Sequence, residues 1–218
     1  MLAASEAPFI PLSPLVLATL FVILGASVWV FVTLVKRETR HRRVLALAQW
    51  ARSRNLRPAD PDADLPALAP LKLFKPKIHS IFRGEHLTLV QLETAETALD
   101  SAVISARQWN LLFRNLVAPW RTTALRPTAH AVSAADMFSL SSYPSLMPTQ
   151  RFMIFGAESQ AARALAESSA PALLPADIGL ILYANQLILD FSGRPFDELE
   201  FDRLIDLSDQ LAPRLLPR

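Results

Sequence analysis

An uncharged apolar run of 21 residues, Leu15 to Val35 (LVLATLFVILGASVWVFVTLV), ends abruptly in the basic string KRETRHRR. A helix rises about 1.5 Å per residue, so about 20 such residues cross a hydrocarbon core of roughly 30 Å. The run therefore predicts a membrane-spanning helix and confines the rest of the fold to what the remaining chain builds beside a bilayer. Ser13 is placed to cap that helix, and Pro14 falls at its first position, where a missing N–H costs nothing. A cleaved signal peptide fits less well: no basic segment precedes the run, which exceeds the roughly 7 to 15 residues of a signal core. Before the run the one charged side chain is Glu6; after it come Lys36, Arg37, Arg40, Arg42 and Arg43 against Glu38. Basic residues stay on the cytoplasmic side, which predicts the N-terminus outside and everything from Lys36 onward in the cytoplasm. The same five cations are expected to contact anionic lipid headgroups, each contributing about 1 kcal/mol near the surface. The span holds no Gly-x-x-x-Gly pair and no ionisable residue, so it reads as a passive anchor.

The 175 residues that follow Arg43 suffice for one domain with a substantial core. The chain divides accordingly: a short non-cytoplasmic N-terminus (1–14), the transmembrane helix (15–35), a basic juxtamembrane helix (36–56), a linker rich in Pro and Asp (57–70) and a cytoplasmic domain (71–218). Net charge is only +2 but is segregated, with eight Lys/Arg and one Glu in Lys36–Arg57 and eight acids with two Arg in Asp177–Asp209. Lipid contact explains the basic block more simply than nucleic acid, since Trp50 is its sole aromatic side chain and no nucleic-acid motif is present. The absence of cysteine excludes disulfides, thiolate metal sites and Cys nucleophiles.

Helical spacing of Val44, Leu47, Ala48 and Ala51 continues a helix out of the membrane, lying at the headgroups or packing on the domain; Trp50 suits either environment. From Lys77 the period becomes two. KIHSIFR, Gly84-Glu85 and HLTLVQLET form a hairpin signal with a Gly-X pair suited to a tight turn. That register gathers Ile78, Ser80, Phe82, Leu87, Leu89 and Gln91 on one face. Residues 103–114 fit strand or helix, with strand preferred, and the proline-punctuated stretch 119–148 reads as short strands and loops. RFMIF (151–155) is a strand leading into the helix ESQAARALAESS, which stops before Pro171. IGLILYANQLILDF predicts a second hairpin turning at Ala184-Asn185, with Ile178, Leu180, Leu182, Leu187, Leu189 and Phe191 on one core face. Asp197 and Glu200 open a final helix with the stripe Phe201, Leu204, Ile205, Ser208 and Leu211. Strands and helices in blocks rather than in strict alternation give the class α+β: one N-terminal transmembrane helix, then a single soluble domain with β-hairpins and two or three helices.

No catalytic signature emerges, and no catalytic, cofactor-binding or metal-ligating residue is assigned. His79 and His86 share a face in the expected register but lie roughly 13 Å apart along the strand, too far for one ion. His41 sits in the basic stalk, and His130 has no ligand neighbour at a useful spacing. There is no Gly-x-Ser-x-Gly elbow, no Ser-x-x-Lys pair, and no Gly-rich phosphate loop, because the five glycines stand apart at 25, 84, 156, 179 and 193. The carboxylates Asp197, Glu198, Asp202 and Asp206 are explained by capping, helix dipole and solvation. On the second face of the 178–191 segment, Ile181, Tyr183 and Ile188 are either covered by the domain's own helix or form an exposed patch for a protein partner.

The layout resembles bacterial membrane proteins of unknown function that have one N-terminal span, a basic juxtamembrane helix and a cytoplasmic α+β domain. The resemblance rests on LALAQWARSRNL, on RFMIFG before an Ala-rich helix, and on ILYANQLILDFSGRPFDELEFDRL. It departs at Asn55, where those proteins often close the juxtamembrane helix with Gly. It implies the bacterial inner membrane and supplies no site residue. The expectation is a membrane-tethered interaction domain, an adaptor or accessory subunit without cofactor. Alternatives are a membrane-bound hydrolase or lipid-modifying enzyme using His79, His86 or His130 with Asp100 or Asp190, and a homo-oligomeric scaffold.

Overall fold

The computed structural model describes residues 14–60, 76–97, 104–129, Ala134, Phe138 and 150–215. Helix α1 runs Pro14–Ser53, and contacts divide the chain into Met1–Ala46 and Leu47–Arg218. In the first unit every side chain described from Ala18 to Thr39 is exposed, so this helix is long and apolar enough to cross a membrane and buries none of that apolar surface in protein. Its hydroxyls are satisfied within the helix: Ser27 donates to the Ile23 carbonyl, Thr33 to those of Trp29 and Val30, and Thr39 to that of Val35. Such back-bonding removes the penalty of placing a hydroxyl in hydrocarbon.

The second unit is α+β with an antiparallel sheet. Its strands are β1 (Arg57–Pro58), β2 (Lys77–Arg83), β3 (Leu87–Thr97), β4 (Ile104–Pro127), β5 (Phe152–Gly156) and β6 (Gly179–Asp190). Helices α2 (Ser159–Glu167), α3 (Ala170–Leu173) and α4 (Glu198–Leu211), then a 3₁₀ turn (Ala212–Arg214), complete it. β4 organises the sheet: β3 pairs with its first half, β5 with its last five residues, and β6 with Leu111 to Leu125 from the other side.

This compact unit begins at Leu47, not at residue 71. Leu47, Ala51 and Leu56 are buried in the same core as Leu189 and Phe201, and the Trp50 indole lies 5.0 Å from the Phe201 ring. Its N–H donates to Asp202, which also pairs with Arg54 at 2.8 Å. Trp50 thus belongs to the domain rather than to a headgroup layer. Asn55, at φ 58°, closes the helix in the left-handed conformation. The Leu56 N–H reaches the Ala51 carbonyl and the Asn55 N–H that of Arg52, the paired bonds of a Schellman motif. Asn therefore does here what Gly does more often.

Two expectations about the strands are corrected. In the β2–β3 hairpin Arg83 faces Thr88, which moves the turn one residue on, to Glu85-His86. Gly84 has no left-handed φ; instead a Cβ there would come within 2.7 Å of Leu56 Cδ2, so a larger residue must displace the Leu56 side chain. A bulge at His79 then carries Ile78 to the opposite face, where it packs with Ile81 and Val90. The second correction is larger. Residues 179–190 are one strand, not a hairpin. Between Asn115↔Gln186 and Trp120↔Ala184, four residues of β4 oppose one of β6, and Ala184 has φ 52°. This break inverts the alternation, which is why Leu180 and Leu182 still share a core with Leu187 and Leu189.

That first core lies between the sheet and the end of α1, α2, α3 and α4. The second, on the other face, joins Val90, Trp109, Leu111, Phe113, Ile181 and Ile188 with Ala134 and Phe138. β4 also runs further than the 103–114 segment, continuing through Pro119 to Pro127. Residues 61–70 of the linker lie outside the described residues.

Candidate functional site

The structure first redistributes the residues singled out from sequence. Ile181 and Ile188 are 1% and 0% exposed, and the Tyr183 ring packs 5.5 Å from Phe138. They form part of the second core and not an exposed partner patch, because residues of the 134–138 segment supply a cover that no pattern in β6 announces. Lys36, Arg37 and Arg42 are exposed on α1, with Arg42 paired to Glu38 at 2.9 Å; the side chains of Arg40, His41 and Arg43 lie outside the described residues. His130 and Asp100 also lie outside them.

His79, pushed out by its bulge, has Nε2 2.9 Å from Glu93 Oε2, while His86 is exposed, 3.5 Å from Glu85. Asp190 is buried and accepts hydrogen bonds from the Ala134 N–H at 2.7 Å and the Ser192 hydroxyl at 2.6 Å. Ser192 in turn accepts from the Asn110 N–H. This group caps and joins chain segments. Beyond it, Arg194 forms a two-pronged pair with Asp177, both contacts 2.7 Å, and donates to the buried Glu200. The hydrogen bond to Asp177 leads in raising the Arg194 pKa above its ordinary value, so the guanidinium is permanently charged. Asp197 caps α4 through the Glu200 N–H at 3.0 Å, as its spacing predicts. The Glu200 carboxylate is instead turned to Arg194, fastening the loop after β6 to the helix.

A separate feature, larger than the depression beside Arg194, is a groove of about 920 Å³ bordered by Trp120. Three segments build it. The bulge of β4 delivers Trp120, whose indole N–H donates to the Leu215 carbonyl at 2.5 Å and thereby holds the 3₁₀ turn against the sheet. Helix α2 lies close on β5 because Gly156 has no side chain; a Cβ there would stand 3.2 Å from that of Ala162. The Ser168 hydroxyl donates to the Leu165 carbonyl and accepts from the Ala170 N–H, turning the chain at the end of α2. The groove is thus lined by Trp120, by Ser159, Gln160, Arg163 and Glu167 of α2, by Ser168 and Ser169, and by Pro213 and Arg214 of the turn. Arg121, beside Trp120 in sequence, pairs with Glu158 at 3.1 Å. Arg163 and Arg214 are exposed, and neither is paired with a described carboxylate.

Among the described residues no histidine lines this groove, and Glu167 is its one carboxylate. Sequence reasoning missed it because its residues are scattered over about a hundred positions. The one trace was Arg163, a lone cation inside an Ala-rich helix. Comparison with protein-family models, curated proteins and solved structures finds no match.

Proposed function

We propose that the chain is a single-pass membrane protein of the bacterial inner membrane, N-terminus out, whose α+β unit serves in the cytoplasm as a non-catalytic adaptor or accessory subunit for a protein partner. The observation that carries this reading is the bare surface of α1: Phe21, Trp29 and Phe31 are all about two-thirds exposed, with no protein cover. A contiguous apolar surface of that size is stable only in lipid or against another chain. The cations at Lys36, Arg37, Arg40, Arg42 and Arg43 then stand at the headgroups and set the orientation. Tethering replaces a three-dimensional search for the partner by a high local concentration at the bilayer.

Orientation is tested directly because the chain has no cysteine. A membrane-impermeant maleimide on intact cells should modify Ser5→Cys and leave Arg52→Cys untouched until the membrane is opened; the reverse pattern overturns the topology. The adaptor role is tested by crosslink-stabilised purification of the full chain from its membrane. A second protein at near-equal amount supports it, whereas recovery of this chain alone moves the assignment to a homo-oligomeric scaffold. The His79–Glu93 pair supports a second reading, a membrane-bound hydrolase, although His79 lines neither this groove nor the smaller one beside Arg194. That reading requires a hydrolytic activity of the full chain that His79→Gln abolishes.

A further inference from the structure

We propose that the groove bordered by Trp120 is an anion site for a phosphate ester, held by Arg163 from α2 and Arg214 from the 3₁₀ turn. The lining is donor-rich. Arg163, Arg214, Ser159, Ser169 and Gln160 all border it, against one carboxylate residue, Glu167. Such a set matches a ligand whose polar end offers many acceptor oxygens and carries negative charge. The two arginines come from different elements, α2 and the 3₁₀ turn, an arrangement that suits a tetrahedral phosphate, whose oxygens point in several directions. A planar carboxylate presents its two oxygens to one side and suits a single guanidinium better. The volume exceeds what phosphate alone fills. The half-buried Trp120 also borders the groove, and with its N–H already committed to Leu215 the indole has apolar surface to offer an organic body. Glu167, one turn along α2 from Arg163, is placed to accept from a hydroxyl or amine on that body. Together these features describe a phosphate ester of a small polar alcohol. Free sugar or polyol phosphates and phospholipid headgroups share this chemistry.

The test uses the full chain in nanodiscs, with 5-fluorotryptophan replacing Trp29, Trp50, Trp109 and Trp120 and the four ¹⁹F lines assigned by single Trp→Phe substitutions. In zwitterionic nanodiscs, glycerol 3-phosphate should shift the Trp120 line saturably and leave that of the buried Trp109 in place. Arg163→Gln and Arg214→Gln should each weaken binding about tenfold, the worth of one charge-assisted contact, and the double variant should remove the response. Both arginines are exposed, so an unmoved Trp109 line certifies the fold of each variant. In nanodiscs containing phosphatidylglycerol, a shifted Trp120 line without added ligand, reversed by Arg163→Gln with Arg214→Gln, identifies the lipid headgroup as the source. A response to glycerol 3-phosphate alone identifies a soluble ester. No saturable shift in either arm, or one that survives the double variant, overturns the site. The soluble arm is independent of the adaptor reading, so the two fail separately.

Discussion

Residues 77–97 and 178–191 carry the same signal, two period-two runs with a break between them, yet the first folds back as a hairpin and the second runs on as one strand. A break in alternation has two physical solutions: a two-residue turn, or a bulge that lets the chain continue with its faces exchanged. Both place Leu182 and Leu187 on the same face, so the apolar pattern does not choose between them. Tertiary context chooses. β6 lies along β4, which is long enough to pair with both its halves and which takes up the mismatch with its own bulge at 116–119.

The turn residues deepen the contrast. Glycine stands at Gly84, where the backbone is ordinary and the need is room for Leu56; alanine stands at Ala184, where φ is 52°. Each residue is therefore at the position where conformational preference alone would least expect it.

The sharpest way to break the comparison is a pair of cysteines in this cysteine-free chain. Asn115→Cys with Gln186→Cys should oxidise almost completely to a disulfide, since facing residues of an antiparallel pair lie about 5 Å apart. Tyr183→Cys with Gln186→Cys, which a hairpin would bring together, should not, being roughly 10 Å apart along a strand. Efficient bridging of the second pair, read on a non-reducing gel, would restore the hairpin.

Next in size is Leu189→Ala, at a fully buried position of β6, expected to cost about 3 kcal/mol in denaturant unfolding of the solubilised chain. The partly buried Leu87, beside the β2–β3 turn, should lose only about 1 kcal/mol on the same change. Equal losses would mean that β6 is no more central than the hairpin. Gly84→Ala should cost about 1 kcal/mol through its clash with Leu56, and combining it with Leu56→Ala should abolish that increment. Smallest is Ala184→Gly, which should stabilise by about 0.5 kcal/mol by relieving the left-handed conformation. A loss there would show that the Ala184 methyl group matters more than its backbone angle.

How far sequence carried the reading follows from the range of the forces involved. The cap at Asp197, the buried stripe of α4, strand β5 and the stop of α2 before Pro171 are local, and the α+β class follows from their order. The bulge at His79, the course of β6 and the cover on Ile181 and Ile188 depend on partners tens of residues away and leave no mark in their own segments. The groove is the extreme case, assembled from residues 120, 159–169 and 213–214, none of which forms a motif. Asn55 shows the opposite: a departure from the glycine common at such helix ends that preserves the same geometry.

The burial of Leu47, Ala51 and Leu56 bears on what a protease could release. The segment rich in Pro and Asp after Arg57 is the covalent route from α1 to the rest of the sheet, but the last turns of α1 are already part of the domain's core. A nick in that segment would sever the peptide chain and leave the two pieces associated, with Trp50 still against Phe201 and bonded to Asp202. Separating this domain from the apolar run of α1 therefore requires a cut ahead of Leu47.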